Sequence, residues 1–269
     1  MEKQIQASLR ELHLPAIRAC YNEQSAEARR ESYSYEQYLL NLIGFECQTR
    51  REKRIARFLR ESKLPLEKTL ASFDRKRLPQ KVNAQLGVLL DGSFLDRSEN
   101  ILAFGNPGSG KTHLLCAIGQ ELIFKERRIL FRPCNLLVQE MLVAKRDLKL
   151  PQYLKRLAKY DAIIIDDIGY VQQSREEMEI LFTLLADRYE RGSVMITSNL
   201  PFSKWEVIFK DPMTTAAAID RLVHHSIILE LNVESYRLEQ SQKKRQLPVS
   251  KRIKELSGHR TGGDKAANE

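Results

Sequence analysis

Long apolar runs are missing from this 269-residue chain. No stretch approaches the ~20 uncharged apolar residues that a membrane span requires, and the opening MEKQIQASLRELHL lacks the apolar centre of a secretory signal. A soluble, cytoplasmic protein with no membrane partner is expected. Cysteine is scarce and scattered: Cys20, Cys47, Cys116 and Cys134 form no C-x-x-C pair and have no histidine at ligand spacing, which argues against a disulfide framework and a zinc site. Glycine and proline are nearly absent from residues 1–66, where Gly44, Pro15 and Pro65 stand alone. Little there breaks a helix. The chain also lacks a helix-turn-helix or zinc-finger signature, so any nucleic acid it meets is read with weak sequence preference.

What is present is positive charge, unevenly placed. The net charge is +9, yet residues 82–231 hold 18 basic and 19 acidic side chains, against 17 and 11 over residues 1–81 and 9 and 5 over residues 232–269. Basic flanks around a near-neutral centre point to an anionic polymer, since each phosphate contact releases condensed counterions. Arg50, Arg51, Lys53, Arg54, Arg57 and Arg60 fall in one short basic run, and positions 50, 54 and 57 share a helical face. A second basic segment, KRDLKLPQYLKRLAK, carries Lys145, Arg146, Lys155 and Arg156. Both are candidate phosphate-tracking surfaces; solvated surface is the alternative for each.

The hydrophobic period divides the chain. In residues 1–66, Leu9, Leu12, Ile17 and then Tyr38, Leu39, Leu42 and Ile43 recur at three- and four-residue steps, which predicts a small all-helical N-terminal domain. Ser34 with Gln37 reads as a capping box before YEQYLLNLIGFE. TRREKRIARFLRESK reads as a second helix, separate or continuous, ending near Leu64-Pro65. Residues 67–97 read as a connector with one apolar helical run. Over 98–232, short aliphatic runs (ILAF, RILF, AIIID, SVMIT, SIILEL) alternate with amphipathic stretches at 111–124, 135–144, 175–190 and 214–224. Five apolar runs joined by helices predict a five-stranded parallel sheet covered on both faces, an α/β fold. Residues 233–269 form a polar, basic tail that cannot bury enough apolar area to fold alone.

Directly after ILAF comes Gly105-Asn106-Pro107-Gly108-Ser109-Gly110-Lys111-Thr112, followed by His113 and an amphipathic helix. Glycines let backbone N–H groups curl around a phosphate, and the helix N-terminus adds its positive end. Lys111 then spans the β- and γ-phosphates of a nucleotide, and the Thr112 hydroxyl binds Mg²⁺. The apolar strand AIII ends in Asp166 and Asp167, expected beside the first strand's tip. Asp166 is a candidate Mg²⁺ holder through water, and Asp167 a candidate acceptor of the attacking water's proton. Two adjacent acids repel unless a cation sits between them. Thr197, Ser198 and Asn199 end the next apolar run, where a polar side chain orients water or senses the γ-phosphate; an ordinary Asn-Leu-Pro turn is the alternative. Arg221 in AIDRLVHH is either a cation for a neighbouring subunit's γ-phosphate or a salt-bridge partner of Asp220 or Glu230.

The segments GNPGSGKTHLLCAIG, IIIDDIG, ITSNLPFSKW and AIDRLVHH, in this order and spacing, resemble the IstB-like transposition helper ATPases, relatives of the DnaC-type helicase loaders within the AAA+ class. The basic stretch RREKRIARFLRESKLPLEKTLASFD resembles that family's N-terminal module. The resemblance runs from about Leu39 to Arg237 and implies an AAA+ P-loop ATPase that oligomerises on target DNA and recruits a transposase. It implies ATP and Mg²⁺ at residues 105–113 and Asp166, Asp167 polarising water, Asn199 sensing the γ-phosphate, and Arg221 acting as a finger in trans. It also implies that the second basic segment faces a DNA channel. This chain departs from the class in its Asp-Asp pair, where many members carry Asp-Glu, and in lacking a sizeable helical lid after SIILEL, so that the usual second sensor arginine is either missing or reduced to Arg237. A helicase loader or a nucleotide-gated DNA scaffold with negligible turnover are the alternative readings.

Overall fold

The structure is a computed structural model that describes residues 1–168, 174–201, 204–205, 220, 222–236 and 238–239. The chain opens with three helices, α1 (Glu2–Glu11), α2 (Pro15–Arg30) and α3 (Tyr35–Ser62). Pro15 at the first position of α2 pre-sets its φ, but α2 has no side-chain cap of its own. Glu46 of α3 supplies one, its buried carboxylate accepting from the N–H groups of Ala16 (2.8 Å) and Ile17 (3.2 Å). Arg50 grips that carboxylate (2.8 Å) and the carbonyl of His13 (2.7 Å), locking the α1–α2 corner to α3. Ile17, Tyr21 and Leu42 bury in this small cluster with Leu9 and Tyr38 against them. Leu12, Leu39 and Ile43, expected on the same face, are exposed instead.

The two helices read around YEQYLLNLIGFE and TRREKRIARFLRESK are one continuous 28-residue helix, α3, about 42 Å long at ~1.5 Å per residue. Ser34 caps it by accepting from the Gln37 N–H (3.2 Å). The box is only half made, because the Gln37 amide reaches forward to Asn41 (2.8 Å). Lys63 ends the helix in the left-handed conformation, just before Leu64-Pro65. Phe58 near that end is buried in the larger core, where a phenylalanine contributes roughly 1.5–3 kcal/mol.

The sheet has five parallel strands in the order β2-β3-β4-β1-β5, with β1 Asn100–Phe104, β2 Ile129–Pro133, β3 Ala162–Ile168, β4 Ser193–Ser198 and β5 Ser226–Glu230. Alternate residues face opposite cores. Leu102, Ile163, Ile165, Val194 and Ile196 meet α7 (Cys134–Arg146), α8 (Leu150–Leu157) and α9 (Arg175–Arg188). Ile101, Ala103, Ile164, Met195 and Leu229 meet α4 (Gln80–Asp91), α5 (Ser93–Asp96) and α6 (Lys111–Phe124). The stretch read as a connector thus carries α4, whose Val82, Leu86 and Leu89 are core residues. At the far edge of the sheet the buried Arg188 guanidinium donates to the carbonyls of Leu157, Tyr160, Asp161 and Ser193. Among the described residues no helix is long and apolar enough to cross a membrane.

Candidate functional site

β1 ends at Phe104 and α6 opens at Lys111, so the intervening loop lies at the carboxyl edge of the sheet. Gly105 (φ 151°) and Gly108 (φ 80°) have conformations that L side chains avoid, and a Cβ on either would collide with the Leu231 carbonyl or the Ser235 hydroxyl. The loop closes through the Ser109 N–H on the Asn106 carbonyl (3.1 Å). Its turn exposes Asn106 and Pro107, and Gly110 leads into α6, whose N-terminus has no side-chain cap. A helix start of this kind leaves its first N–H groups for an anion. Lys111 is 6% exposed, and its ammonium donates to the carbonyls of Gly105 (2.7 Å) and Asn106 (3.0 Å).

One carboxylate oxygen joins the loop to the acid pair. Asp166 Oδ1 accepts from the hydroxyls of both Thr112 and Thr197, each at 2.7 Å. Thr197 Oγ1 in turn accepts from the Asp167 N–H at 2.8 Å. The fully buried Thr197, named above as a water-orienting candidate, is therefore committed to fixing Asp166 and Asp167. A register shift in β3 between Ile165 and Ile168 places Asp167 at φ 64°, so the strand irregularity turns consecutive acids to different surroundings. Ser198 bonds the backbone at Ile168 (3.1 Å) and Leu200 (3.0 Å). Asp166 was expected beside the tip of the first strand, but β4 lies between β3 and β1; Thr112 at the start of α6 bridges the gap. The same order puts Asn199, next after β4, between the acid pair and the loop.

These residues fit a triphosphate with a hard divalent cation. The glycine cradle has no room for side chains, and Ser109 Oγ and Asn199 Oδ1 are buried polar atoms without a hydrogen-bond partner. Thr112 and Asp166 offer hydroxyl and carboxylate oxygens, the ligands Mg²⁺ prefers. Among the described residues no group of three or more His, Cys, Asp or Glu side chains could hold a metal, so such a cation would complete its shell with phosphate and water oxygens. Behind the loop, burial pushes the Cys116 thiol on α6 up to about 12, leaving it inert.

The remaining candidate residues differ in their surroundings. The His113 ring, assigned to the nucleotide, turns to residues 69–73: its Nε2 lies 3.0 Å from the Thr69 carbonyl and 3.2 Å from Ser72 Oγ, with Phe73 edge-on. Arg221 and Arg237 lie outside the described residues. Arg50 serves the helical corner, and Arg51 and Arg54 both pair with Glu126, which follows α6. Lys53, Arg57 and Arg60 of the same run are exposed and form no ion pair among the described residues. Lys145 pairs with Glu176 (3.3 Å) and Arg146 with Asp147 (3.4 Å), while Lys155 is unpaired among the described residues and Arg156 lies over the Tyr153 ring. Glu46 and Glu126 escaped the sequence reading, although the i, i+4 spacing of Glu46 and Arg50 was there to be seen.

The family described as IstB-like ATP binding protein matches residues 7–244. An insertion sequence ATP-binding protein of Sinorhizobium fredii is 43% identical over 88% of this chain and 80% of its own length. One of Geobacillus stearothermophilus is 35% identical over 89% and 96%. Among solved structures, domain III of the Thermotoga maritima replication initiation protein DnaA superposes with a TM-score of 0.52 at 19% identity, covering 70% of this chain and 79% of that one. The last likeness is one of fold: a five-stranded parallel sheet of the AAA+ P-loop type.

Proposed function

Because the chain belongs to the IstB-like ATP-binding protein family, we propose that it is an ATP-dependent, DNA-binding helper of transposition that assembles on target DNA and recruits a transposase. The observation that carries the enzymatic part is the shared Asp166 oxygen, which links the phosphate loop through Thr112 to the acid pair through Thr197. Insertion sequence relatives named as ATP-binding proteins support the biological part.

In this reading the loop N–H groups and Lys111 bind the β- and γ-phosphates, Lys111 leaving its carbonyl partners for phosphate oxygens. Thr112 and Asp166 hold Mg²⁺, which when bound neutralises charge on the β- and γ-oxygens. Asp167 takes a proton from the water whose oxygen attacks the γ-phosphorus, as the bond to the β–γ bridging oxygen breaks. Asn199, between the acids and the loop, donates its amide N–H to a γ-phosphate oxygen, while its Oδ1 is free to accept from the attacking water. Arg221 reaches a neighbouring subunit's γ-phosphate, which makes assembly and turnover interdependent. Lys53, Arg57, Arg60 and Lys155 track duplex phosphates, with weak sequence preference.

The test is light scattering together with steady-state phosphate release, with ATP and duplex DNA added separately and jointly. Growth in particle mass that needs both, accompanied by DNA-stimulated release, is expected. Growth without measurable turnover would favour the nucleotide-gated scaffold, and a constant monomer mass would refute assembly.

A further inference from the structure

Two segments, one before β1 and one after β5, meet across the outer side of the phosphate loop. After β5 the chain keeps to the edge of β1: the Leu231 N–H donates to the Phe104 carbonyl (2.7 Å), and its own carbonyl abuts Gly105. Farther on, the Ser235 hydroxyl abuts Gly108, and the Tyr236 N–H donates to the Gly108 carbonyl (3.0 Å). From the other side comes the segment before α4, whose Phe73 ring faces Gly110 and His113. Asp74 caps the short 3-10 turn Arg75–Arg77 that follows.

Arg77 ties the two together. Its guanidinium forms a two-pronged pair with Glu239 (2.9 and 3.0 Å), donates to the Glu234 carbonyl (2.9 Å) and lies over the Tyr236 ring, 5.2 Å from its centre. Its side chain is 21% exposed and that of Glu239 34%, so water screens this pair only in part. In the nucleotide reading above, the γ-end meets Thr112 and Asp166 and the nucleoside leaves the loop on the side of Gly108 and Gly110. Those are the two glycines that the tied segments cover.

We propose that Arg77 is a positioning residue for the nucleotide: it pins Glu234, Tyr236 and Glu239 across the loop, so that the nucleoside end is enclosed by one segment that precedes β1 and one that follows β5. This rests on the nucleotide reading above and adds to it a residue far outside the phosphate motif.

The experiment uses the full chain and two probes, a fluorescent ATP analogue and inorganic tripolyphosphate competing with it. Arg77→Glu and Glu239→Arg should each weaken the nucleotide about tenfold, the effect of losing one charge-assisted contact. Tripolyphosphate, which has no nucleoside, should bind all variants alike. The double variant, which restores the ion pair but not the contacts to the Glu234 carbonyl and the Tyr236 ring, should bind the nucleotide more tightly than either single variant, a rescue that a general loss of structure would not show; urea midpoints without ligand verify folding. Unchanged nucleotide affinity in the single variants, equal weakening for tripolyphosphate, or no recovery in the double variant would each overturn the assignment. Failure of the unaltered chain to bind either probe would instead overturn the nucleotide reading itself, and this proposal with it.

Discussion

Thr197→Val is the most demanding test of the site's construction. The substitution keeps the shape of a fully buried side chain and deletes only its hydroxyl. That hydroxyl donates to a carboxylate and accepts from the Asp167 N–H. A hydrogen bond to a charged group contributes about 1.5–3 kcal/mol and a neutral one about 0.5–1.5 kcal/mol, so the loss is expected at about 2–4 kcal/mol. Asp166 keeps the Thr112 hydroxyl, which holds the figure toward the lower end. With a urea slope near ~3 kcal/mol/M, the unfolding midpoint falls by roughly 1 M. Thr197→Ser, which retains the hydroxyl, should lose only about 0.5–1.5 kcal/mol, the cost of a buried methyl. The catalytic consequence follows from the left-handed backbone at Asp167, which the Thr197 hydroxyl bonds directly. Thr197→Val should therefore lower phosphate release at least tenfold with nucleotide affinity little changed, while the serine variant stays near the original rate. If the valine variant unfolds within about 0.5 kcal/mol of the original chain and turns over normally, the shared-oxygen account of this site is wrong.

The other predictions are simpler. Lys111→Ala should abolish measurable binding of the fluorescent nucleotide, and unaltered affinity would contradict its phosphate role. Arg188→Met removes four donations to main-chain carbonyls at the opposite edge of the sheet, of which those of Leu157 and Asp161 keep the Tyr160 and Ser193 N–H groups, and should destabilise by about 3 kcal/mol in urea; a change under about 1 kcal/mol would show those bonds to be dispensable. For Glu46, burial pushes the carboxyl up, but the Arg50 hydrogen bond and the N–H groups of Ile17 and Ala16 prevail, and its pKa lies below the usual glutamate value. The unfolded chain then protonates first as pH falls, so Glu46 adds stability above the ordinary glutamate range and loses it as pH drops through the lowered value. The gap in urea midpoint between the original chain and Glu46→Gln should shrink on acidification, and a pH-independent gap would refute the assignment. Reversing Lys53, Arg57 and Arg60 to glutamate should weaken duplex binding about equally across sequences and flatten the salt dependence by about 0.9 in slope per lost phosphate contact. Unchanged binding would move the DNA surface elsewhere.

The phosphate loop, the strand bearing the acid pair and the parallel sheet were legible because each is written in adjacent residues: glycine spacing, β-branched runs and the alternation of strand with helix. α6 begins and ends at the very residues expected of it, 111 and 124. The N-terminal helices were legible as helices but not in their packing, since three- and four-residue spacing cannot say which apolar residues find a partner. Leu42 is buried while Leu39 and Ile43 on the same helix face water. The basic run shows the same limit: Arg50, Arg51, Lys53 and Arg54 are one block of charge in the sequence, yet Glu46 and Glu126 pair with three of them and leave Lys53 without an ion pair among the described residues.

What the amino-acid order determined by itself is the phosphate-binding turn and the layered sheet that presents it, both products of local backbone geometry and strand-length hydrophobic runs. The tertiary structure alone decided which polar groups close that site: Thr197 on Asp166 across 31 residues, the His113 ring turned away to Thr69, and Arg77 on Glu239 across 162. Such pairings depend on strand order and on the path of segments outside the sheet, and a hydrogen bond between distant residues leaves no period in the sequence to betray it.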